Sequence, residues 1–552
     1  MKRFQRKAAL LLAVLTMLTP LSACSTAEEG GAEAPASSTE QPASSEGKER
    51  ISLTFWTGLG NKVAEQANSW DEIACWPYIM DKFQVDIEFI HPPLGQETEN
   101  FNLMLSSKTL PDIIQSNWRT FQGGGATKAI KDGIILDLSD KMEEYAPNFM
   151  ALMEEHPDWN RDAITDDGVY YYFPYIYQTR LANSFVGFQI RQDWLDKLGL
   201  DMPETIEDWH TVLTAFKTQD PNGNGEADEI PFLPSKSHNP NQSLSSLAYF
   251  RLAYGLSAHF NGFFLDEDKN VQYTYLQPEY RDYLETMRDW YAEGLIDPEY
   301  VTSDNKVLTA KMTSNQVGAT YAGYGMGFLG NWTNVMWNEK GETDYLLVGT
   351  PFPTLNGGTP NGYSDPFVTD GGAAVSTSCQ YPERAMELLD YLYSPEGHYV
   401  INFGPDETVY SMVDGKPQYK VEEISEQNPG LPIDSVLIQY GMACQGGPFV
   451  QDEAYSEMVA ETYPGQTIAA QNYINSSIDW MIPSISPSTE ESSELSSIIN
   501  DANTLMGEFE TKVIMGIEPI ENLDQMIETL KSMNIDRAIE IEQAAVERYY
   551  QR

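Results

Sequence analysis

The 552-residue chain is poor in cysteine: it has Cys24, Cys75, Cys379 and Cys444 only. No C-x-x-C pair and no zinc-ligand spacing occurs among them, so neither a dithiol redox centre nor a zinc module is indicated. Six histidines (His91, His156, His210, His238, His259, His398) are scattered without an H-E-x-x-H pair. Basic residues are few, 34 against 82 acidic ones, for a formal net charge of −48. Such a chain is repelled by nucleic acid and by anionic lipid. It suits neutral or cationic ligands and metal cations, although a solvated acidic surface accounts for most of the charge. Long apolar runs are also scarce. The one near the start spans about Ala8 to Leu18, and no later run reaches bilayer length. What remains is ample for folding: 41% hydrophobic residues and enough length for more than one domain or lobe.

The first run follows Lys2, Arg3, Arg6 and Lys7 and ends in Leu21-Ser22-Ala23-Cys24. A basic start and a short apolar stretch are the layout of an export signal. The small pair before a cysteine resembles the lipobox of bacterial lipoproteins. That resemblance implies a signal peptide over 1–23, a lipid on Cys24 and a protein anchored to the outer face of the bacterial cytoplasmic membrane. With Cys24 so used, three cysteines remain, which allows at most one intrachain disulfide. Residues 24–50 are rich in Glu, Ala, Ser, Pro, Thr and Gly and read as a disordered tether.

Order is expected from Ile51. Ile51–Trp56, Val85–Ile90 and Ile113–Gln115 read as strands, separated by helical stretches near Val63–Phe83 and Glu97–Ser107. Strand and helix in alternation predict an α/β lobe with a largely parallel sheet, whose ligands sit at the carboxyl ends of the strands. Val317–Ala322, Leu346–Pro351 and Phe367–Val375 read as further strands, and Thr205 as the cap of a helix through Trp209. Leu523, Met526, Ile527 and Leu530 have helical spacing and read as core. Gly325-Met326-Gly327-Phe328-Leu329-Gly330 matches G-x-G-x-x-G, but it opens no clear βαβ unit and reads as a turn.

The Phe55-Trp56 strand end, Leu110–Ile114 before Trp118, Phe188–Gly199 and Pro203–Trp209 together resemble the extracellular solute-binding proteins of ABC importers, in their carbohydrate-binding branch. The resemblance covers about residues 51 to 552. It implies an α/β, two-lobe periplasmic-binding-protein-like fold (type II, Venus-flytrap) with discontinuous lobes and a helical C-terminus. Carried over, lobe one takes 51–180 plus 346–405, and lobe two takes 181–345 plus 406–552. It further implies a monomer without catalytic residues that binds an oligosaccharide between the lobes and delivers it to the transmembrane subunits of an ABC permease. An extracellular glycosidase is the alternative, since 82 acids hold many carboxylate pairs. Binding of another small solute such as a peptide, and a purely sensory or adhesive role, are further alternatives.

Asp220-Pro221-Asn222-Gly223-Asn224-Gly225-Glu226-Ala227-Asp228-Glu229 places oxygen side chains at loop positions 1, 3, 5 and 9, with glycine at 6. This matches the first part of an EF-hand calcium loop. Position 12 is Pro231, and Glu229 at position 10 stands in for the usual bidentate acid, a variant that resembles the calcium loop of alginate-oligosaccharide-binding proteins. The expectation is a structural Ca2+ held by Asp220, Asn222, Asn224, the Glu226 carbonyl, Asp228 and Glu229. For the sugar, aromatics that offer a ring face and polar groups that take hydroxyls are expected at the cleft. From their positions after strands and beside the crossings these are Trp56, Asn117, Trp118, Tyr175, Tyr177, Tyr324, Trp332 and Asp370.

Overall fold

A computed structural model describes residues 49–235, 245–325, 327–429 and 431–552. The expected signal peptide, Cys24 and nearly all of the expected tether lie outside the described residues. Ten strands form two sheets. In chain order they are β1 (Ile51–Trp56), β2 (Val85–Ile90), β3 (Ile113–Asn117), β4 (Phe173–Tyr177), β5 (Val186–Arg191), β6 (Ile230–Leu233), β7 (Val317–Gly323), β8 (Leu347–Gly349), β9 (Val368–Val375) and β10 (Val450–Gln451).

The larger sheet runs β10-β4-β9-β3-β1-β2 and the smaller runs β8-β5-β7-β6. Ile51 pairs with Val85 and Trp56 with Ile90, so β1 and β2 are parallel, as β1 and β3 are. β9 alone runs against its neighbours. The carboxyl ends of β1, β2, β3 and β4 therefore share one edge with the start of β9. In the smaller sheet Val186 pairs with Gly323, which sets the start of β5 beside the end of β7. The chain leaves the larger sheet after Tyr177, crosses in eight residues to Val186, and returns between Gly349 and Val368. The two crossing segments are tied together: the Asp365 N–H donates to the Asn183 carbonyl at 2.9 Å, and the Tyr177 N–H to Phe367 at 2.9 Å. The strand at Leu347–Gly349 belongs to the smaller sheet, where it pairs with β5, and Val450–Gln451 returns late in the chain to the larger one.

Each sheet has its own apolar packing. Leu53, Phe55, Trp70, Trp76, Phe149 and Phe173 are buried on one face of the larger sheet, while Trp56, Ile114, Trp118 and Tyr172 fill the other. The smaller sheet shares a core with the C-terminal helices through Phe188, Trp209, Phe250, Met506 and Val546. Four helices matter below: α1 (Ile206–Thr218), α2 (Glu279–Ala292), α3 (Thr489–Ile514) and α4 (Ile535–Tyr549). α1 begins as the sequence suggests. Thr205 Oγ1 accepts from the Asp208 N–H at 3.1 Å and Asp208 returns the bond to the Thr205 N–H at 2.9 Å, a capping box. Cys75, Cys379 and Cys444 are free thiols. Among the described residues no helix is long and apolar enough to cross a membrane.

Candidate functional site

At the strand-end edge of the larger sheet, side chains from the strand ends, the second crossing and the segments beside the smaller sheet gather. Arg119, just past β3, donates through Nη1 to Asp370 Oδ1 at 2.5 Å and through Nη2 to the Asp162 carbonyl at 2.8 Å. Asp370 stands at the start of β9, where the Trp118 N–H also reaches its carbonyl at 3.3 Å. From the second crossing come Tyr363, whose hydroxyl donates to Asp365 Oδ1 at 3.2 Å, and Asp365 itself. Tyr249 stacks on Tyr321 at 3.8 Å and meets Tyr363 edge-on at 5.5 Å. His259 is anchored through Nδ1 to Asn261 Oδ1 at 3.1 Å, with Nδ1 carrying the hydrogen in that tautomer. Tyr177, His259, Tyr363, Asp365 and Asp370 all keep part of their surface accessible.

These groups act on one another electrostatically. Burial pushes the Asp365 carboxyl up to about 6, and the charge of Asp370 adds to the rise. Burial also holds His259 below the ordinary imidazole range, although Asn261 and Asp370 both favour its charged form. The Tyr177 phenol is raised by burial and by Asp365. The charge of Asp370 on the larger sheet thus acts on His259 and on Asp365 of the crossing, and Asp365 acts on Tyr177.

Of the expected ligand residues, Asn117, Tyr177 and Asp370 lie at this edge. Tyr175 sits behind Tyr177, edge-on at 5.0 Å and against Phe449. The remaining four are placed as packing residues. Trp118 is fully buried, donating its indole N–H to the Gly372 carbonyl at 3.1 Å, and Trp56 packs on Phe101 in the same small core. Tyr324 is buried with its hydroxyl on the Leu181 carbonyl at 3.2 Å. Trp332 is fully buried with its N–H on Thr309 Oγ1 at 3.3 Å. Position just after a strand marks the right edge of a sheet, but not which way a ring turns there. Arg119, Tyr249, His259, Tyr363 and Asp365 were not anticipated. They come from loops, a crossing and, for Tyr249, the short 3-10 helix Ser246–Tyr254, none of which offers a strand or α-helical periodicity to read. Tyr363 and Asp365 had a signal, since both stand inside the segment that returns the chain between the sheets.

The loop after α1 is built on turn chemistry. Asp220 Oδ1 and Oδ2 accept from the N–H groups of Gly223 and Gly225 at 2.9 and 3.1 Å. Gly225 has φ 80°, a left-handed conformation that a side chain would strain. Asn222 and Asn224 turn towards Asp228, with amide-to-carboxylate distances of 3.0–3.2 Å. Gln316 fixes the other side of Asp228 at 2.7 Å. Glu229 Oε1 is buried without a hydrogen-bond partner, and its carboxyl is raised by burial and by the charges of Asp228 and Asp220. A buried, unpartnered carboxylate oxygen beside two further acids fits a cation, which would satisfy the oxygen and offset the repulsion. No group of three His, Cys, Asp or Glu side chains already converges as a metal cluster among the described residues.

Comparison with known proteins was decisive for the family. The profile of the bacterial extracellular solute-binding proteins matches residues 72–399, more than half of the chain. The chain belongs to this family. It is 33% identical over 233 residues to the fructooligosaccharide ABC transporter substrate-binding protein FusA of Streptococcus pneumoniae, a match covering 40% of this chain and 41% of FusA. To the lipoprotein LipO of Bacillus subtilis it is 24% identical over 77% of this chain and 81% of LipO. The alginate-binding protein AlgQ2, solved without its calcium ion, superposes with a TM-score of 0.70 at 22% identity, covering 90% of this chain and 98% of AlgQ2. FusA with kestose gives 0.70 at 21% identity over 91% and 99%, and FusA has also been solved as an EF-hand mutant. The family member described here therefore has the two-lobe, type II binding-protein fold.

Proposed function

We propose that this protein is the substrate-binding component of an ABC importer, anchored outside the cell by a lipid on Cys24, and that it takes an oligosaccharide between its lobes. The observation that carries the reading is that the charge of Asp370 on the larger sheet is felt by Asp365 on the second crossing and by His259, with Tyr363 bonded to Asp365 and Tyr249 edge-on to Tyr363. Carboxylates and phenols there can take sugar hydroxyls, and a ligand that engages both sides favours the closed arrangement by its differential affinity. FusA, the relative with a fructooligosaccharide in its name, supports the ligand class. LipO supports the anchor. Both are binding or lipoprotein relatives, and no catalytic step is assigned to the cleft.

Following the strands, lobe one comprises 51–177 with 368–452, and lobe two 186–349 with the C-terminal helices. The carboxylates of Asp220, Asp228 and Glu229, the amide oxygens of Asn222 and Asn224 and the Glu226 carbonyl would hold a structural Ca2+. The ion neutralises crowded charge and stiffens the loop between α1 and β6. The protein acts as a monomer towards its permease and has no nucleic-acid partner, given its charge.

The anchor has a direct test. Cys24→Ala should leave the leader uncut or release the protein from the membrane fraction, as immunoblotting of fractionated cells would show. A variant that matures and fractionates like the wild type would remove the lipid from this account.

A further inference from the structure

The end of α4 and the residues after it reach the cleft through a relay of polar contacts. α4 packs in the core of the smaller sheet through Ala538 and Val546. The helix Pro157–Ala163 packs in a core of the larger sheet through Trp159 and Ala163. The two meet at the turn 161–166. Arg552 donates through Nη1 to the Arg161 and Ile164 carbonyls at 2.7 and 3.0 Å, and through Nε to Asp166 Oδ1 at 3.1 Å. Arg548 Nε donates to Asp166 Oδ2 at 2.6 Å, and the Tyr549 hydroxyl to Asp162 Oδ1 at 2.8 Å. The Arg552 side chain is only 2% accessible, so its bonds are made away from water.

The same turn holds a cleft group. The Asp162 carbonyl accepts from Arg119 Nη2 at 2.8 Å, while Nη1 of the same guanidinium donates to Asp370 Oδ1 at 2.5 Å. Burial raises the Asp162 carboxyl, and the charges of Arg119 and Arg552 both oppose the rise. A guanidinium is a planar fork, so fixing one arm fixes the direction of the other. The turn therefore decides where Arg119 points, and Arg119 decides how the Asp370 carboxylate is presented. An acceptor held in place before a sugar hydroxyl arrives spares the cost of ordering it at binding. We propose that Arg552 is a positioning residue of the cleft, which fixes the turn that orients Arg119 and, through it, Asp370. The inference rests on the oligosaccharide reading above.

The test uses the full chain, calcium present, in calorimetric titration with kestose, maltotriose and trigalacturonate. Arg552→Lys keeps a charge on Asp166 but lacks the fork that spans the two carbonyls. It should weaken the best-binding probe about tenfold, and Tyr549→Phe, which removes only the hydroxyl on Asp162, about threefold. In an Arg119→Met chain, where the relay is already cut, adding Arg552→Lys should cost nothing further. Hydrogen exchange without any sugar gives a second readout, which stands whether or not Arg119→Met folds. The Trp118 N–H donates to the Asp370 carbonyl at 3.3 Å and should exchange about tenfold faster in Arg552→Lys. A merely structural clamp would loosen 161–166 and leave Trp118 unmoved. Wild-type affinity and wild-type Trp118 exchange in folded Arg552→Lys and Tyr549→Phe would overturn the positioning role and leave the oligosaccharide reading intact. Losses that simply add in the Arg119→Met chain would do the same. Faster exchange at Trp118, with no probe bound by the wild type, would uphold the relay to Asp370 and overturn the oligosaccharide reading.

Discussion

Stripping calcium should lower the thermal unfolding midpoint of the protein, and millimolar calcium should restore it. Asp220, Asp228 and Glu229 are drawn into one ten-residue loop, where Glu229 Oε1 is buried without a partner. Its raised carboxyl shows that the surroundings oppose a negative charge there. On the calcium reading, a divalent cation would reverse that opposition, and only the folded chain would hold its ligands together. The stabilisation then follows the ratio of free calcium to the dissociation constant, about 4 kcal/mol at a thousandfold excess. Asp228→Ala removes the carboxylate on which Asn222, Asn224 and Gln316 converge and should abolish the calcium-dependent shift. Thermal melts in chelator and in calcium decide the matter. Equal midpoints for wild type in the two buffers, with the ion shown by elemental analysis to be removed, would contradict the assignment. Oligosaccharide affinity of the still-folded protein should change little, because the loop joins α1 to β6 away from the crossings.

Arg251→Met should be among the most destabilising single changes in the chain, by about 3–5 kcal/mol. Arg251 is fully buried and paired with Glu510 of α3. The Tyr280 and Tyr283 hydroxyls of α2 donate to the same carboxylate at 2.7 and 3.1 Å, and the guanidinium lies 5.2–5.6 Å from the rings of Tyr275, Tyr280 and Tyr283. Three segments distant in sequence are joined by this one charge pair. Removing the cation leaves Glu510 buried and uncompensated, whereas replacing both partners with apolar groups of similar volume removes both desolvation costs. Urea unfolding should therefore show the Arg251→Met, Glu510→Leu double variant to be markedly more stable than the single one. A loss below about 1 kcal/mol in the single variant would mean that the pair is solvated or replaced in solution.

Much of the larger sheet was legible because its strands alternate or run apolar within short, bounded segments. Ile51–Trp56 and Val85–Ile90 are found as expected, and Thr205 caps α1. Leu347–Gly349 shows the limit. A three-residue apolar strand has no periodicity to say which sheet it joins, and it pairs with Arg191, Ile190 and Gln189 of β5. Val450–Gln451 is shorter still and gave no signal. In the cleft, the acid Asp370 and the ring of Tyr177 could be placed from the strands beside them. Trp118 and Tyr324 could not, since an aromatic after a strand can turn into a core as readily as out of it. Trp118 turned inward to satisfy its indole N–H on Gly372. The turn at 220–229 was legible for the opposite reason. Its residues are contiguous in sequence, so spacing alone predicts the turn in which Asp220 accepts from Gly223 and Gly225.

The central claim, that one oligosaccharide is held by both lobes at the crossing segments, is tested most directly by hydrogen exchange with and without the glycan that binds in titration. Protection should appear together at Asn117–Arg119 and Asp370 on the larger sheet, at Tyr249–Tyr254 beside the smaller sheet, and along the crossings 178–185 and 350–367. Protection confined to one lobe, or lying away from both crossings, would contradict the account.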